Sequence, residues 1–277
     1  MKNNEPEIIG LEKLKKYYNQ QEIIEDYEYL RFSTLSREIR YEREIEIINT
    51  AMQSIQNNSP PRLLEIAVGP GTLTKDIALS GVGVGIDTSK KMLNIAKKRV
   101  NDLRWNFICA DVMNMPFKNE CFDIVVVFHL LRHFKEKERK EAYSEIYRVL
   151  NQDGWMIFEM LNKRPKKTKL QRILSNTFKK IFTKKGNSDS SYNVYSSFFT
   201  PIELIEELKG HNFSPVFIYG LGQNNTLTVL LKFFHRKFCK FGFLQSFIKS
   251  LIIQLERKYK KKLEYSFEFI TIAKKET

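Results

Sequence analysis

Residues 62–87, RLLEIAVGPGTLTKDIALSGVGVGID, constrain the fold of this chain more than any other stretch. Residues 63–66 form a short apolar run, interrupted by one acid, that is typical of a strand buried on both faces. Glycines in 69–71 permit a sharp turn, and 72–74 are predicted to open a helix. A second apolar alternation spans 82–87. The pattern predicts a βαβ unit, whose ligand binds beyond the carboxyl ends of the strands.

Two acids and an incomplete glycine motif indicate which class of ligand this unit binds. Gly69, Gly71 and Thr74 give G-x-G-x-x-T, which lacks the third glycine of the dinucleotide fingerprint. Glu65 in the first strand and Asp87 at the end of the second are expected to point toward one site. Carboxylates there repel a pyrophosphate and attract a cation. S-adenosylmethionine (SAM) is such a ligand, since it joins a sulfonium and an ammonium to a ribose and an adenine.

The chain resembles the class I SAM-dependent methyltransferases at several ordered motifs. The family's acid-and-glycine motif matches residues 65–72, where Ala67 stands in place of the usual glycine. The motifs that follow match Gly-Ile-Asp-Thr-Ser at 85–89, Cys-Ala-Asp-Val at 109–112, Met-Pro-Phe at 115–117, a fourth strand at 122–127 and a fifth at 155–159. The resemblance covers roughly residues 62–159.

This resemblance implies an α/β fold and a set of cofactor residues. The expected architecture is a Rossmann-like, seven-stranded, mostly parallel sheet with an antiparallel last strand, helices on both faces, an N-terminal helical segment and helical inserts. Asp87 would bind the ribose hydroxyls, and Asp111 with the backbone of Val112 would read the adenine edge. The full expected set is Glu65, Ala67, Gly69, Gly71, Asp87, Thr88, Met92, Asp111, Val112 and Phe128. Helix capping by the two aspartates and core packing by Met92 are the alternatives.

Two histidines follow the predicted fourth strand, beside the expected methyl donor. His129 and His133 are the candidates for a catalytic base, because the ordinary pKa of histidine suits proton transfer near neutral pH. The alternative for each is a packing or hydrogen-bonding role. We expect no metal site, because the H-x-x-x-H spacing lacks the intervening glutamate and a third nearby ligand.

The chain divides into a predicted N-terminal helical cap, residues 1–58, and a methyltransferase domain, residues 59–277. Two inserts are expected in this domain, at about 163–198 and 222–262. Helical periodicity extends over residues 10–56 and ends at the Asn-Asn-Ser-Pro-Pro of 57–61. Such a cap covers the cofactor in related enzymes, with Tyr18, Tyr27 and Arg31 as candidates for the cover.

Lys163 to Lys185 hold ten bases and no acid, so much of the formal net charge of +14 lies in this segment. Apolar residues recur there at helical spacing, which predicts a basic amphipathic helix. It could lie on an anionic membrane or pack on the core as a lid. A second cationic, Phe-rich segment spans 233–255. Together they favour a lipophilic substrate, and RNA stays open although no RNA-binding module is recognisable.

We therefore predict a SAM-dependent enzyme that methylates oxygen or carbon of a small or lipophilic acceptor, such as a quinone-like, polyprenyl or glycolipid molecule. An RNA or protein methyltransferase and a non-catalytic SAM-binding or partner-binding protein are the alternatives. No DNA partner is expected. Three scattered cysteines, Cys109, Cys121 and Cys239, suit a reducing cytoplasm, with peripheral membrane contact as an open alternative.

Overall fold

A computed structural model describes residues 8–9, 11–20, 23, 34–55, 59–163, 193–222, 231, 242–259, 261 and 263–276. The predicted basic amphipathic helix, apart from Lys163 at its start, lies outside the described residues. So do Tyr27, Arg31 and residues 233–241 of the Phe-rich segment.

An eight-stranded sheet forms the centre of the described structure. Its seven main strands are β1 (Arg62–Ile66), β2 (Val82–Asp87), β3 (Trp105–Cys109), β4 (Phe122–Val127), β5 (Leu150–Asn162), β6 (Phe213–Leu221) and β7 (Glu268–Lys275). A short eighth strand, Phe198–Phe199, pairs in parallel with β5. The spatial order of the main strands is β3-β2-β1-β4-β5-β7-β6. β1 to β5 pair in parallel, whereas β7 pairs antiparallel with β5 and β6. The predicted Rossmann-like sheet with an antiparallel last strand is confirmed.

Six α-helices surround this sheet among the residues described. They are α1 (Leu11–Tyr18), α2 (Leu35–Ile55), α3 (Lys90–Val100), α4 (Glu136–Val149), α5 (Pro201–Lys209) and α6 (Gly242–Tyr259). Local sequence explains several of their ends. The Ser89 hydroxyl accepts a bond from the Met92 amide at the start of α3, and Thr200 with Glu203 forms a capping box before α5.

Side-chain alternation along β1 divides the core between the two faces of the sheet. Leu63 belongs to a buried cluster that includes Ile48 and Met52 of α2. Leu64 belongs to the opposite cluster, which includes Tyr143 of α4 and Leu204 of α5. Both faces of the central strands are therefore covered, as the continuous apolar run predicts.

Two predicted boundaries are wrong. The helix expected to open at Thr72 is only a 3₁₀ turn at Thr74–Asp76, because few residues separate the glycine turn from β2. The last strand, predicted at 265–273, runs from Glu268 to Lys275. The residues just before it form a 3₁₀ turn, Leu263–Tyr265.

The later part of the Phe-rich segment forms α6, which packs on α2. Ile248 and Ile252 of α6 join Ile39 of α2 in a separate buried cluster. The Lys249 ammonium adds ion pairs to Glu38 at 3.3 Å and Glu42 at 2.6 Å. α2 is thus held between α6 and the sheet. Within the described part of the chain, no helix is long and apolar enough to cross a membrane.

Candidate functional site

A cavity of about 430 Å³ opens at the carboxyl ends of the parallel strands. The ends of β1 to β4 and the segments that follow them form its floor. α1 and α2 contribute further lining side chains, and we call these two helices its cover. The lining residues from the cover are Lys15, Tyr17, Tyr18, Arg37, Arg40, Tyr41 and Glu44.

The glycine turn after β1 approaches the cavity closely. Gly69 and Gly71 have φ values of 56° and 74°, and Ala67 has a φ of 60°. Ala67 thus occupies a left-handed conformation that glycine adopts without strain, which explains why glycine is usual at this place in the family. In β2, a Cβ on Gly85 would lie 2.7 Å from Cγ2 of Val68. Glycine at that position allows the turn to pack against β2.

Asp87 at the end of β2 connects the turn to the next helix. Its Oδ2 accepts a hydrogen bond from the Gly69 amide and its Oδ1 accepts one from the Ser89 amide, each at 2.8 Å. Burial raises the pKa of Asp87, and the backbone donors partly offset this rise. Because each carboxylate oxygen has a second lone pair, Asp87 can still accept hydrogen bonds from a ligand in the cavity.

Asp111, after β3, has a partner that its sequence context does not reveal. The Lys15 ammonium of α1 donates to Asp111 Oδ2 at 2.7 Å, and the Met113 amide donates to Oδ1 at 3.1 Å. Burial alone would lower the pKa of Lys15, but the hydrogen bonds and charges of Asp111 and Glu12 together outweigh burial and raise it. The lysine is therefore charged and joins the cover to the floor of the cavity.

His129, after β4, is held by three polar neighbours. Its φ of 57° lies in the left-handed region, and its amide donates to Glu159 Oε1 at 2.8 Å. Arg132 Nη2 lies 2.9 Å from His129 Nδ1. Because a guanidinium only donates, Nδ1 carries the lone pair and Nε2 carries the proton. Nε2 faces Glu44 Oε2 at 3.4 Å.

His133 has both ring nitrogens engaged. Its Nδ1 donates to the Tyr195 carbonyl at 2.9 Å, and its Nε2 accepts from Arg132 Nε at 3.4 Å. Burial, followed by the charge of Arg132, lowers the pKa of His133 to about 4. The ring is therefore neutral near pH 7, and this geometry favours a structural role over that of a base.

The positive charge of Arg132 is balanced by buried carboxylates. Its guanidinium lies 3.5 Å from Glu159 Oε1 and 3.4 Å from Glu268 Oε1. Arg40 of α2 also donates to Glu268, at 2.7 Å. Burial alone would lower the pKa of Arg132, but the Glu159 and Glu268 charges raise it. Burial alone would raise the pKa of Glu159, but Arg132 and His129 lower it well below its usual range. Arg132 and Glu159 are thus a charged pair.

Comparisons with known proteins agree with this geometry. Residues 63–154 match a family model described as a methyltransferase domain. The chain is 26% identical to the demethylmenaquinone methyltransferase of Thermotoga maritima over 68% of this chain and 85% of the relative. An uncharacterised protein of Methanocaldococcus jannaschii is 31% identical over 64% of this chain and 70% of its own length. The match spans only 59% of an uncharacterised methyltransferase of Oceanobacillus iheyensis, at 28% identity over 46% of this chain.

The fold of a solved structure matches nearly the whole chain. Magnesium protoporphyrin IX methyltransferase of Synechocystis PCC 6803 is 13% identical, and the match covers 95% of this chain and 99% of that chain with a TM-score of 0.60. At this identity the likeness shows a shared fold. The chain belongs to the class I SAM-dependent methyltransferases.

The residues of this methyltransferase cavity fit SAM on chemical grounds. Asp87 and Asp111 place two acids on a floor that also carries the apolar side chains of Ile86, Met92 and Val112. Acids attract a cationic ligand with hydroxyl and amino groups, and apolar walls suit a flat adenine. Across the described part of the methyltransferase, no cluster of three or more His, Cys, Asp or Glu is arranged to hold a metal ion.

The structure brings most of the predicted site residues together. The cavity is lined by Ala67, Gly69, Asp87, Thr88, Met92, Asp111, Val112, Phe128, His129 and His133. Glu65 and Gly71 are the exceptions. Glu65 is buried in β1 and does not line the cavity, and the expectation that it points with Asp87 toward one site stays a prediction. Gly71 packs against α3, where its Cβ would lie 3.0 Å from Ala96 Cα.

Sequence reasoning missed several lining residues of the methyltransferase. Arg37, Arg40, Tyr41 and Glu44 follow the i, i+3, i+4, i+7 spacing of one helical face. That polar stripe was a signal in the sequence, although nothing local says that it faces a cavity. Arg132 lies between the two predicted histidines, and only its contacts reveal a role.

Proposed function

We propose that the cavity floor binds SAM through the residues matched from the family. Asp87 would hold the ribose hydroxyls, and Asp111 with the Val112 backbone would contact the adenine. The turn at 67–69 would lie beside the amino acid portion. SAM supplies an electrophilic methyl carbon and leaves as a neutral thioether. The protein's own task is to place a nucleophile on that carbon and to exclude water.

We further propose that the acceptor is a small lipophilic molecule with an acidic hydroxyl, such as a phenol or a hydroquinone. Aromatic residues Tyr17, Tyr18, Phe128 and Phe134 line the cavity, and they suit a flat apolar ring. The polar side chains of His129 and Arg132 are grouped beyond β4. This combination supports an acceptor with an apolar body and one reactive polar group.

The observation that carries this proposal is the position of the cover. Side chains of α1 and α2 line the same cavity as the strand ends, so an acceptor must fit beneath two helices. This favours a small molecule over a folded protein or an RNA duplex. The Thermotoga maritima relative is a demethylmenaquinone methyltransferase, and its name supports a quinone-like acceptor here.

Methylation at oxygen and methylation at ring carbon make the same demand on the site. A phenol is a weak nucleophile, and loss of its hydroxyl proton activates both the oxygen and the adjacent ring carbons. A polar group that receives this proton would therefore serve either outcome. We retain both as products of the proposed reaction.

The test is transfer of labelled methyl from SAM to a panel of naphthols, hydroquinones and simple phenols, with bulk RNA and a protein extract as parallel substrates. We expect label in the small aromatic acceptors, and mass spectrometry will distinguish O-methyl from C-methyl products. Label found only in RNA or protein would show that the acceptor is a macromolecule and would contradict the proposal. SAM binding without transfer to any of them would favour the non-catalytic alternative.

Contact with an anionic membrane or RNA through Lys163 to Lys185 stays a prediction, since all of that segment except Lys163 lies outside the described residues. The Lys163 ammonium pairs with Glu203 at 2.7 Å. Sedimentation with vesicles of anionic lipid, and retention on RNA at rising salt, would test the two partners separately.

A further inference from the structure

Arg132 and His129 place a hydrogen-bond donor beside a hydrogen-bond acceptor in the wall of the cavity. Arg132 Nη2 donates to His129 Nδ1 at 2.9 Å, and both residues line the cavity. A hydroxyl group needs this pair of functions, because its oxygen accepts one hydrogen bond and its proton donates another. An acceptor hydroxyl that reaches His129 Nδ1 therefore also reaches the guanidinium of Arg132.

We propose that Arg132 and His129 together bind and ionise the reacting hydroxyl of the methyl acceptor. The acceptor hydroxyl takes over the Arg132 Nη2 hydrogen bond from His129 Nδ1, which frees the single lone pair of Nδ1. The O–H bond then breaks, its proton passes to His129 Nδ1, and its electron pair stays on the oxygen beside the Arg132 charge. The new bond to the methyl carbon forms from the ionised acceptor, and the electron pair of the broken C–S bond stays on sulfur. This inference rests on the proposed acceptor class and makes Arg132 a catalytic residue.

Buried charges prepare the pair for this proton transfer. When His129 becomes an imidazolium, its Nε2–H faces Glu44 Oε2 at 3.4 Å and its Nδ1 lies 3.5 Å from Glu159 Oε1. Both glutamates are almost fully buried, so their charges act at low dielectric. These two carboxylates face the ring nitrogens of His129, while Arg132 lies beside the oxyanion.

The backbone of His129 supports a functional role for this arrangement. The residue has a φ of 57°, and a non-glycine residue in the left-handed region carries strain of order 1 kcal/mol. The hydrogen bond from its amide to buried Glu159 holds that conformation. Arg132 is fixed in turn by Glu159 and Glu268. The pair is thus positioned before an acceptor binds.

Binding of 4-nitrophenol to the full chain tests ionisation without turnover. The ionised form of this phenol absorbs visible light and the neutral form does not. With S-adenosylhomocysteine present, at a pH below the phenol's own pKa, we expect the wild type to increase the phenolate band. Arg132→Gln should reduce this gain about tenfold or more, because it removes a charged hydrogen bond to the oxyanion.

The control is Arg104→Gln, at an exposed arginine paired with Asp102 in the loop before β3. It should leave the phenolate gain unchanged. Arg132→Gln removes the positive charge that neutralises the buried carboxylates of Glu159 and Glu268. The fold of this variant is therefore checked by circular dichroism and by S-adenosylhomocysteine binding. His129→Ala removes the proton acceptor instead. It should also lose most of the gain, and it carries the test if Arg132→Gln does not fold.

The inference is overturned if wild type shows no gain in the phenolate band, or if both variants keep the wild-type gain. A bound phenolate that depends on Arg132 and His129 supports it even if no phenol is methylated. In that case the proposed acceptor class fails and the hydroxyl-ionising pair stands. Methylation of phenols at an undiminished rate in Arg132→Gln would support the proposed acceptor class and overturn the role of Arg132 in ionising the hydroxyl.

Discussion

The ammonium of Lys15 lies 2.7 Å from Oδ2 of Asp111, so α1 of the cover is tied to the segment that follows β3. Asp111 is also the carboxylate proposed to contact the adenine. One acceptor oxygen thus has two candidate donors, one from the protein and one from the cofactor.

Lys15→Met should strengthen SAM binding modestly, by up to about fivefold. Removing Lys15 leaves the Asp111 charge uncompensated for the cationic SAM, and a partly exposed ion pair is worth about 1 kcal/mol at most. Calorimetric titration with SAM measures the change. Lys16→Met, at an exposed lysine of the same helix, is the matched control. Weaker binding in Lys15→Met would mean that Lys15 belongs to the cofactor site.

Asp87→Ala should weaken SAM binding about tenfold to a hundredfold. The substitution removes a buried acceptor for the ribose hydroxyls and the two bonds that tether Gly69 and Ser89. Equilibrium dialysis with labelled SAM reads the affinity directly. Asp102→Ala, which removes a half-buried acid paired with the exposed Arg104, should bind as wild type does. An unchanged affinity in Asp87→Ala would place the ribose elsewhere.

Gly85→Ala should destabilise the protein by about 1–3 kcal/mol and weaken SAM binding. The added Cβ would lie 2.7 Å from Val68 Cγ2 and 2.8 Å from Phe107 Cδ1, so the turn after β1 must move. Thermal unfolding with and without SAM measures both effects. Gly210→Ala is the control, because φ there is −63° and the nearest atom lies 3.4 Å away. Equal melting temperatures for the two variants would contradict the proposed crowding.

His133 should make stability depend on pH between 6.5 and 4. Its pKa falls from 6.5 to about 4 on folding, so between these values the unfolded chain binds more protons than the folded chain. The contribution is complete above pH 6.5 and is lost as pH falls to 4, a change of about 3 kcal/mol. His133→Asn keeps a donor for the Tyr195 carbonyl and removes the titrating ring. Urea unfolding at several pH values should show a flatter profile for this variant. Identical profiles would show that His133 does not titrate in this range.

Much of the fold was predictable because its signals are local. The apolar runs of β1 and β2, the glycines between them and the Thr200 cap each follow from neighbouring residues. The turn at Thr74–Asp76 was mispredicted as a helix, because propensity at 72–74 does not reveal how soon β2 must begin. Among the site residues, those at strand ends were found because parallel strands bring their carboxyl ends to one edge.

The sequence by itself determined the βαβ unit, the order of the family motifs and the acids that end β2 and follow β3, because these depend on spacing within a short stretch of chain. Only the tertiary structure decided that Lys15 reaches Asp111. It also decided that Arg132 joins His129 to Glu159 and Glu268. Apart from the bond between Arg132 and His129, these contacts join residues that are far apart in the chain. They depend on how α1, β5 and β7 lie next to the segments that follow β3 and β4, which no local pattern of residues encodes.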